Sequence, residues 1–252
     1  MRTRKLTQVH TKLYITDKNL GENTTMRMRK KSNLDTRITQ HGEYLLLNEI
    51  GLFDGRYGKS EEVKKEIKKF TLREVFGNDN PVYLEIGCGK GGFAIEHAKR
   101  NPDINILALE VISNVIIVGL EKAEALALPN IKFINCRAEH LTSYFDEAVF
   151  DRIYLNFSCP YPKNTYANRR LTAPAFLDVY KKVLKKGCEI HQKTDNQKLF
   201  EFSIENLSRA GFILKNVSLD LHNSKFEGNI ITEYEQKFVS QGLPIYRLEA
   251  QY

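Results

Sequence analysis

Short apolar runs alternate with helix-like segments along most of this chain. Val82, Leu84 and Ile86 form the first clear run, which predicts a buried strand, and Phe93–Arg100 follows it as a predicted helix. The same pattern predicts strands at Ile104–Glu110, Ile131–Asn135, Phe150–Phe157, Cys188–Gln192 and Phe212–Leu219, and helices at Asn114–Ala127, Pro174–Lys186 and Gln197–Ala210. Regular alternation of this kind predicts an α/β fold with a mostly parallel, doubly wound sheet and helices on both faces.

The chain before the first strand has a different pattern. A helix is predicted from Ser60, a plausible N-cap, to Gly77, which ends it. Residues 1–40 show no sustained hydrophobic period, and we expect them to form a flexible arm. The predicted organisation is therefore an arm at 1–40 and one domain at 41–252.

Composition and charge support this division. The chain has 252 residues, of which 42% are hydrophobic, enough for one α/β domain with a substantial core. Its net charge is +7, and residues 1–40, with ten Lys/Arg and three Asp/Glu, carry all of that excess. A basic arm on a neutral domain is the pattern expected of a protein that grips a polyanion. A solubilising tail or an organelle-targeting leader is the alternative.

The sequence indicates a cytoplasmic protein. It contains no apolar run of about 18 residues that would predict a transmembrane helix, and its N-terminus lacks the apolar centre of a secretory signal. Its four cysteines are scattered singly, which argues against a zinc site and a disulfide framework.

The turn after the first predicted strand is rich in glycine. Gly87, Gly89 and Gly91 follow one another too closely for a dinucleotide-binding fingerprint, and Glu85 lies just before them. These features predict a nucleoside-binding turn for a ligand without a pyrophosphate, which S-adenosylmethionine satisfies. An ordinary strand–helix turn is the alternative. Glu110 ends the next strand about twenty residues on, where a carboxylate can accept hydrogen bonds from a ribose diol.

Polar residues also follow two later strands. The segment Asn156–Lys163 contains two prolines around Tyr161, which predicts a stiff loop able to hold a planar base. Lys163, Arg169 and Arg170 are candidates for phosphate binding, or simply a solvated basic surface. Asp195 and Asn196 are plausible helix N-caps. The Asp195 carboxylate can also accept the N1–H and N2–H of guanine.

From about Met26 to Tyr252 the chain resembles the bacterial tRNA (guanine-N7)-methyltransferases. The segments that carry the resemblance are Met26–Lys31, Leu84–Gly92, Asn156–Lys163 with Arg169–Thr172, Lys193–Asn196, Asp220–His222, Thr232–Glu235 and Gly242–Arg247. The resemblance implies a class I S-adenosylmethionine-dependent methyltransferase with a Rossmann-like sheet, which methylates a guanine in the tRNA variable loop. It implies a monomer or a homodimer.

The resemblance also implies roles for individual residues. Cofactor-binding positions are Glu85, Gly87, Gly89, Gly91, Glu110 and Arg137. Substrate-binding positions are Lys163, Asp195, Thr232, Glu233, Tyr234 and Glu235. Catalytic positions are Cys159 and Asp195.

Two of these positions depart from the family pattern. Cys159 stands where the family typically has the Asp of Asp-Pro-Trp-Pro-Lys, and Arg137 replaces an acidic residue near the adenine. Guanine N7 carries a free lone pair, so no general base has to remove a proton before it attacks the methyl group. We therefore expect activity to survive the change from Asp to Cys.

Two other functions stay open at this point. Asn156–Tyr161 also suits a loop that methylates an exocyclic amine of a base. Alternatively, the chain is a non-catalytic tRNA-binding protein that has lost the motif Asp. A third possibility, in which Cys159 is the nucleophile of a C5 methylation, is disfavoured by its apolar neighbours and the lack of a nearby histidine.

Overall fold

The computed structural model describes residues 31–46 and 69–252, which all belong to one compact unit. Most of the predicted arm, and the start of the predicted helix at Ser60, lie outside the described residues. The division into an arm at 1–40 and a domain at 41–252 therefore stays a prediction. Residues 34–40, which the sequence assigns to the arm, form a helix with Leu34 and Ile38 buried.

The described residues form one sheet with helices between its strands. The helices are α1 (Leu34–Gln40), α2 (Leu72–Phe76), α3 (Gly92–Arg100), α4 (Ser113–Ala125), α5 (Leu141–Tyr144), α6 (Pro174–Val183), α7 (Gln197–Arg209) and α8 (Glu233–Val239). The strands are β1 (Leu45–Leu46), β2 (Val82–Ile86), β3 (Asn105–Leu109), β4 (Ile131–Ile134), β5 (Phe150–Asn156), β6 (Leu184–Thr194), β7 (Ile213–Ser218) and β8 (Tyr246–Gln251). Among the described residues, no helix is both long and apolar enough to cross a bilayer.

The sheet is mostly parallel, as the sequence predicts. Its strand order is β1-β4-β3-β2-β5-β6-β8-β7, and only β8 runs antiparallel to its neighbours. The order reverses between β2 and β5: the strands that follow β2 lie on one side of it and β5 and β6 lie on the other. The carboxyl ends of β2 and β5 therefore border the crevice in which ligands of such sheets bind.

Alternating side chains of the strands build a core on each face of the sheet. Leu84 and Ile86 of β2 pack on one face with residues of α2, α5, α6 and α7. Ile106 and Ala108 of β3 pack on the other face with residues of α1, α3 and α4. This two-sided burial explains why the strands appear in the sequence as nearly continuous apolar runs.

The predicted strands and helices from Val82 to Leu219 are confirmed, with small shifts at their ends. The largest shift is at the start of β6, which was predicted at Cys188 but begins at Leu184, where Leu184 pairs with Phe150. The helix predicted at Pro174–Lys186 therefore ends at Val183.

Gly77 ends α2 in the left-handed region, with φ +69°, as expected. The prediction of one continuous helix from Ser60 to Gly77 is wrong, because residues 69–71 are not helical and α2 begins at Leu72. The pattern did not predict α1, α5, α8, β1 or β8.

Candidate active site

Three glycines shape the turn between β2 and α3. Gly87, Gly89 and Gly91 have φ values of +78°, +59° and +74°, a region that side chains disfavour. A Cβ on Gly91 would lie 3.1 Å from Cε1 of Phe133, so packing also requires glycine there. A Cβ on Gly87 or Gly89 would meet nothing within 4 Å beyond its chain neighbours, so the backbone there borders open space.

Glu85 lies immediately before this turn and is buried, with 2% of its surface exposed. Its Oε1 accepts a hydrogen bond of 3.0 Å from Nδ2 of Asn156, at the end of the adjacent β5. Its Oε2 is buried and has no hydrogen-bond partner. Burial raises the pKa of the Glu85 carboxyl from 4.5 to about 7, although the Asn156 hydrogen bond and the charge of Lys193 oppose the rise.

Glu110, at the end of β3, supports the glycine turn from the other side. Its Oε2 accepts a hydrogen bond of 3.0 Å from the Gly89 N–H, and its Oε1 accepts one of 2.9 Å from the Ile112 N–H. Burial raises the pKa of this carboxyl against those backbone hydrogen bonds. Each carboxylate oxygen can accept a second hydrogen bond, so Glu110 can hold the turn and still accept a ribose hydroxyl.

Arg137 follows β4, the next strand along this edge. Its guanidinium pairs with the carboxylate of Glu139, two residues further on. This pairing supplies no contact to the glycine turn, and a role for Arg137 at the cofactor stays a prediction.

The loop after β5 is stiff, and Arg170 contributes more to that stiffness than the sequence predicts. Phe157 and Tyr161 adopt φ values of +49° and +41°. The Arg170 guanidinium is buried and donates hydrogen bonds of 3.0 Å to both carbonyls of Pro160 and Tyr161. Arg170 is therefore a structural clamp of the loop rather than the free phosphate ligand considered from the sequence.

The two site candidates on this loop differ in exposure. Cys159 is half-buried, whereas Lys163 is exposed at the start of a short 3₁₀ helix. Arg169 is exposed, and its guanidinium lies 4.5 Å from the ring centre of Tyr166. The exposed part of the loop thus offers cations and an aromatic ring, which suits a nucleic-acid backbone and its bases.

The end of β6 carries a buried ion pair. Nζ of Lys193 donates to Oε2 of Glu235 at 2.7 Å, to the Ile230 carbonyl at 2.8 Å and to Oδ1 of Asn229 at 3.0 Å.

Asp195 lies two residues beyond Lys193 and is half-buried, which raises its pKa. Asn196, not Asp195, is the N-cap of α7, and its Oδ1 accepts from the Leu199 N–H at 2.9 Å. Asp195 therefore remains available for a substrate contact.

The segment Thr232–Glu235 divides into two structural and two exposed residues. Thr232 and Glu235 form a capping box at the start of α8. Glu235 is fully buried. Its carboxylate also accepts a hydrogen bond from the Asn229 amide and lies 2.9 Å from Nε2 of His222. The structure thus gives Glu235 a structural position, and the substrate contact predicted for it stays a prediction.

Glu233 and Tyr234 are the exposed members of that segment. The Glu233 carboxylate lies 3.9 Å from Nζ of Lys90 in the glycine turn and 3.8 Å from Nζ of Lys122 on α4. Tyr234 is half-exposed, and burial together with the nearby Glu110 carboxylate raises its pKa. These two residues therefore border the same crevice as the glycine turn.

The predicted residues converge on one edge of the sheet. Glu85, Glu110 and the glycine turn lie together, and Tyr234 and Glu233 border them. The sequence prediction gave no role to Lys193, and it gave one to Asn156 only within the alternative loop for methylation of an exocyclic amine. Both are polar residues at the ends of strongly apolar strands, and that position was the available signal.

Two solved structures share this fold. A crystal structure of the 16S rRNA methyltransferase KamB aligns with a TM-score of 0.55 at 15% identity, covering 74% of this chain and 95% of its own. The antibiotic-resistance methyltransferase Kmr aligns with a TM-score of 0.52 at 16% identity over the same shares. The fold, together with the glycine turn and its two carboxylates, is that of a class I S-adenosylmethionine-dependent methyltransferase.

Sequence comparisons narrow the class to a family. A family profile described as putative methyltransferase matches residues 79–248. A tRNA (guanine-N(7)-)-methyltransferase of Bacillus cytotoxicus is 46% identical over 90% of this chain and 97% of its own length. One from Streptococcus thermophilus is 41% identical over 90% and 99%. The chain belongs to the tRNA (guanine-N7)-methyltransferase family.

The site fits the cofactor of this class. S-adenosylmethionine carries positive charge on its sulfonium and its ammonium group, and the orphaned Oε2 of Glu85 is an acceptor for a cationic donor. Gly87 and Gly89 leave space beside the backbone for a nucleoside. The Glu110 carboxylate lies within the same turn.

Proposed function

We propose that this protein transfers a methyl group from S-adenosylmethionine to N7 of a guanine in the variable loop of tRNA, in the cytoplasm. The observation that carries the proposal is the match over 90% of the chain to relatives named for that reaction. The crevice between the glycine turn, the loop after β5 and the end of β6 is consistent with it.

Each part of the site has a task in this reaction. When bound, S-adenosylmethionine supplies an electrophilic methyl group on a positively charged sulfur. Glu85, Glu110 and the glycine turn hold the cofactor. Asp195 accepts the N1–H and N2–H of the target guanine, and the Arg170-clamped loop supports the base. Lys163 and Arg169 contact the tRNA backbone.

Catalysis in this site rests on alignment and electrostatics. Guanine N7 is already nucleophilic, so Cys159 does not have to act as a base. Orientation of two reactants contributes about 7–11 kcal/mol in well-aligned systems. Methylation at N7 would place positive charge on the imidazole ring of guanine, and the Asp195 and Glu233 carboxylates would stabilise that charge.

Nucleoside analysis of a methylated product tests the proposal. Purified protein is incubated with methyl-labelled S-adenosylmethionine and an unmodified tRNA transcript, and the product is digested to nucleosides. We expect the label in 7-methylguanosine. Label in an N-methylated exocyclic amine would assign the alternative reaction. No transfer, despite measurable binding of cofactor and tRNA, would indicate a non-catalytic tRNA-binding protein.

A further inference from the structure

The Glu85 carboxylate is buried, and only one of its two oxygens has a hydrogen-bond partner. One oxygen accepts from Asn156, and the other, Oε2, is buried without a partner. A buried carboxylate with an unpaired oxygen is costly when charged, and taking up a proton relieves that cost. Burial therefore favours the protonated form of Glu85 in the free protein. A cationic ligand beside Oε2 would remove that preference.

Asn156 fixes the orientation of this carboxyl group. Its amide is buried at the end of β5, and its Nδ2 donates to Oε1 at 3.0 Å. An amide N–H stabilises the charged form of the acid, and it also holds Oε1 so that Oε2 is the oxygen left unpaired. Asn156 thus determines which oxygen stays available to a ligand.

The charges around Glu85 do not neutralise it. Lys193 faces it from β6, but its ammonium is already held by Glu235. Glu110 faces it from β3 and opposes its ionisation. The Ala94 N–H of α3 is near enough to favour ionisation, but it makes no hydrogen bond to Oε2. Cys88, in the glycine turn, is buried, and burial raises the pKa of its thiol. No cation among the described residues is therefore left over for Glu85.

We propose that cofactor binding displaces a proton from Glu85 and that Asn156 is the positioning residue that directs the resulting carboxylate at the positive charge of the cofactor. The proton passes to solvent, and no covalent bond changes. The inference rests on the proposed function only in taking S-adenosylmethionine as the ligand.

The direction of the pH dependence follows from burial. With its pKa raised to about 7, Glu85 in the free protein is largely protonated at pH 6 and largely charged at pH 8. Because the bound state is charged, Glu85 contributes a release of about 0.9 protons per binding event at pH 6, about 0.5 at pH 7 and almost none at pH 8.5. This contribution alone makes the dissociation constant about tenfold higher at pH 6 than at pH 8.

Calorimetry without tRNA measures the proton directly. S-adenosylmethionine is titrated into the protein at pH 6, 7 and 8.5 in buffers of different ionisation enthalpy, which gives the protons released per cofactor. The variants are Glu85→Gln and Asn156→Leu, with Glu96→Gln as the matched control. Glu96 is an acid on α3 that pairs with Lys99 and Arg100 at the surface. The ligand's own amine contributes equally in all four proteins.

We expect Glu96→Gln to match the wild type and Glu85→Gln to lose the released proton. Asn156→Leu removes the donor that favours the charged acid, so its proton release should persist at pH 8.5 and its affinity should fall. Equal proton release in wild type and Glu85→Gln would overturn the proposal. If Glu85→Gln does not fold, a wild-type dissociation constant that stays constant between pH 6 and pH 8, after correction for the titration of the ligand's amine, overturns it instead.

The result is separable from the proposed function. Proton release is measured without methyl transfer, so an enzyme that makes 7-methylguanosine can still lack it. If Asn156→Leu releases protons and binds the cofactor as the wild type does, Asn156 has no positioning role. Absence of any cofactor binding would contradict the proposed function itself.

Discussion

Cys159 is the residue at which this chain departs most clearly from the family pattern. It stands on the loop that Arg170 clamps through the carbonyls of Pro160 and Tyr161, so the loop geometry does not depend on the side chain at 159. A carboxylate there is not needed to generate the nucleophile, because guanine N7 carries its own lone pair. The residue at 159 should therefore modulate the rate rather than determine it.

Replacing Cys159 with Asp tests this argument. We expect turnover of Cys159→Asp to exceed that of the wild type by no more than about tenfold, which is the effect of about 1.4 kcal/mol on the barrier. Single-turnover methylation of tRNA gives the rate, with Cys159→Ala as the control for loss of the thiol. A gain of several orders of magnitude would mean that the Asp carries a catalytic task that this chain lacks.

The contact between Glu85 and Asn156 could not be predicted from the sequence. The two residues are 71 positions apart and meet because β2 pairs with β5 in parallel. The sequence places both at strand ends but does not state which strands are neighbours. By contrast, Glu110 could be predicted, because its distance along the chain from the glycine turn is typical of nucleoside-binding sheets.

At the scale of elements, the start of α8 is anchored to the end of β6. Lys193 and Glu235 are 7% and 0% exposed at their side chains, and Asn229 and Ile230 share the same ammonium. This anchor holds Glu233 and Tyr234 at the crevice. Burial raises the pKa of Glu235, but the charge of Lys193 and the hydrogen bonds from Lys193, Asn229 and His222 outweigh it and hold that pKa below its usual value.

Removing Lys193 should release this anchor. We expect Lys193→Met to lower the free energy of unfolding by about 3–5 kcal/mol, because it leaves the buried Glu235 without its partner. Since the pKa of Glu235 is lowered in the folded state, its contribution to stability is present at neutral pH and is lost as the pH falls through the folded pKa. Urea unfolding at pH 7 and pH 4 should show a smaller difference between Lys193→Met and wild type at the lower pH.

Lys99→Met is the matched control for that substitution. Lys99 pairs with Glu96 at 3.3 Å on the exposed side of α3, where ion pairs contribute little. Its stability should stay close to that of the wild type at both pH values. Equal stability of Lys193→Met and Lys99→Met would contradict the anchoring role of the buried pair.

The elements that the sequence missed were recognisable in part. The residues Thr232 and Glu235 have the spacing of a capping box, which is a helix-start signal, yet their resemblance to a family motif suggested only ligand contacts. The antiparallel β8 carries charged residues, Arg247 and Glu249, that break the apolar pattern. They are buried against each other, and sequence alone does not show that pairing.

At the scale of the whole molecule, the excess charge lies in the arm. The described part of the chain begins at Lys31, whose backbone N–H donates to Oδ1 of Asn114 at 2.9 Å. Asn114 lies in the first turn of α4. The proposed contact between residues 1–40 and tRNA rests on their charge, because Lys and Arg side chains bind the phosphates of a nucleic-acid backbone.

Salt dependence tests the contribution of the arm. Neutralising Arg27, Arg29 and Lys30 together with glutamine should reduce the slope of log affinity against log salt concentration by about 2–3, as each lost phosphate contact removes about 0.7–0.9. Filter binding of tRNA over a range of salt concentrations gives the slope.

Three lysines near the amino end of β6, opposite the carboxyl ends of the strands, are the control for this test. Lys181, Lys182 and Lys186 lie where α6 ends and β6 begins, away from the candidate site. Their replacement by glutamine should leave the slope unchanged. If the two triple variants give equal slopes, then Arg27, Arg29 and Lys30 make no phosphate contact.

The proposed function requires that N7 of a tRNA guanine accepts the methyl group. The most direct test is a tRNA in which the target guanosine is replaced by 7-deazaguanosine, which has C–H in place of N7 and keeps the N1–H and N2–H that Asp195 is proposed to accept. We predict that this tRNA binds with nearly the affinity of the unmodified tRNA but accepts no methyl group. Methylation of the 7-deaza tRNA at that nucleotide would contradict the account.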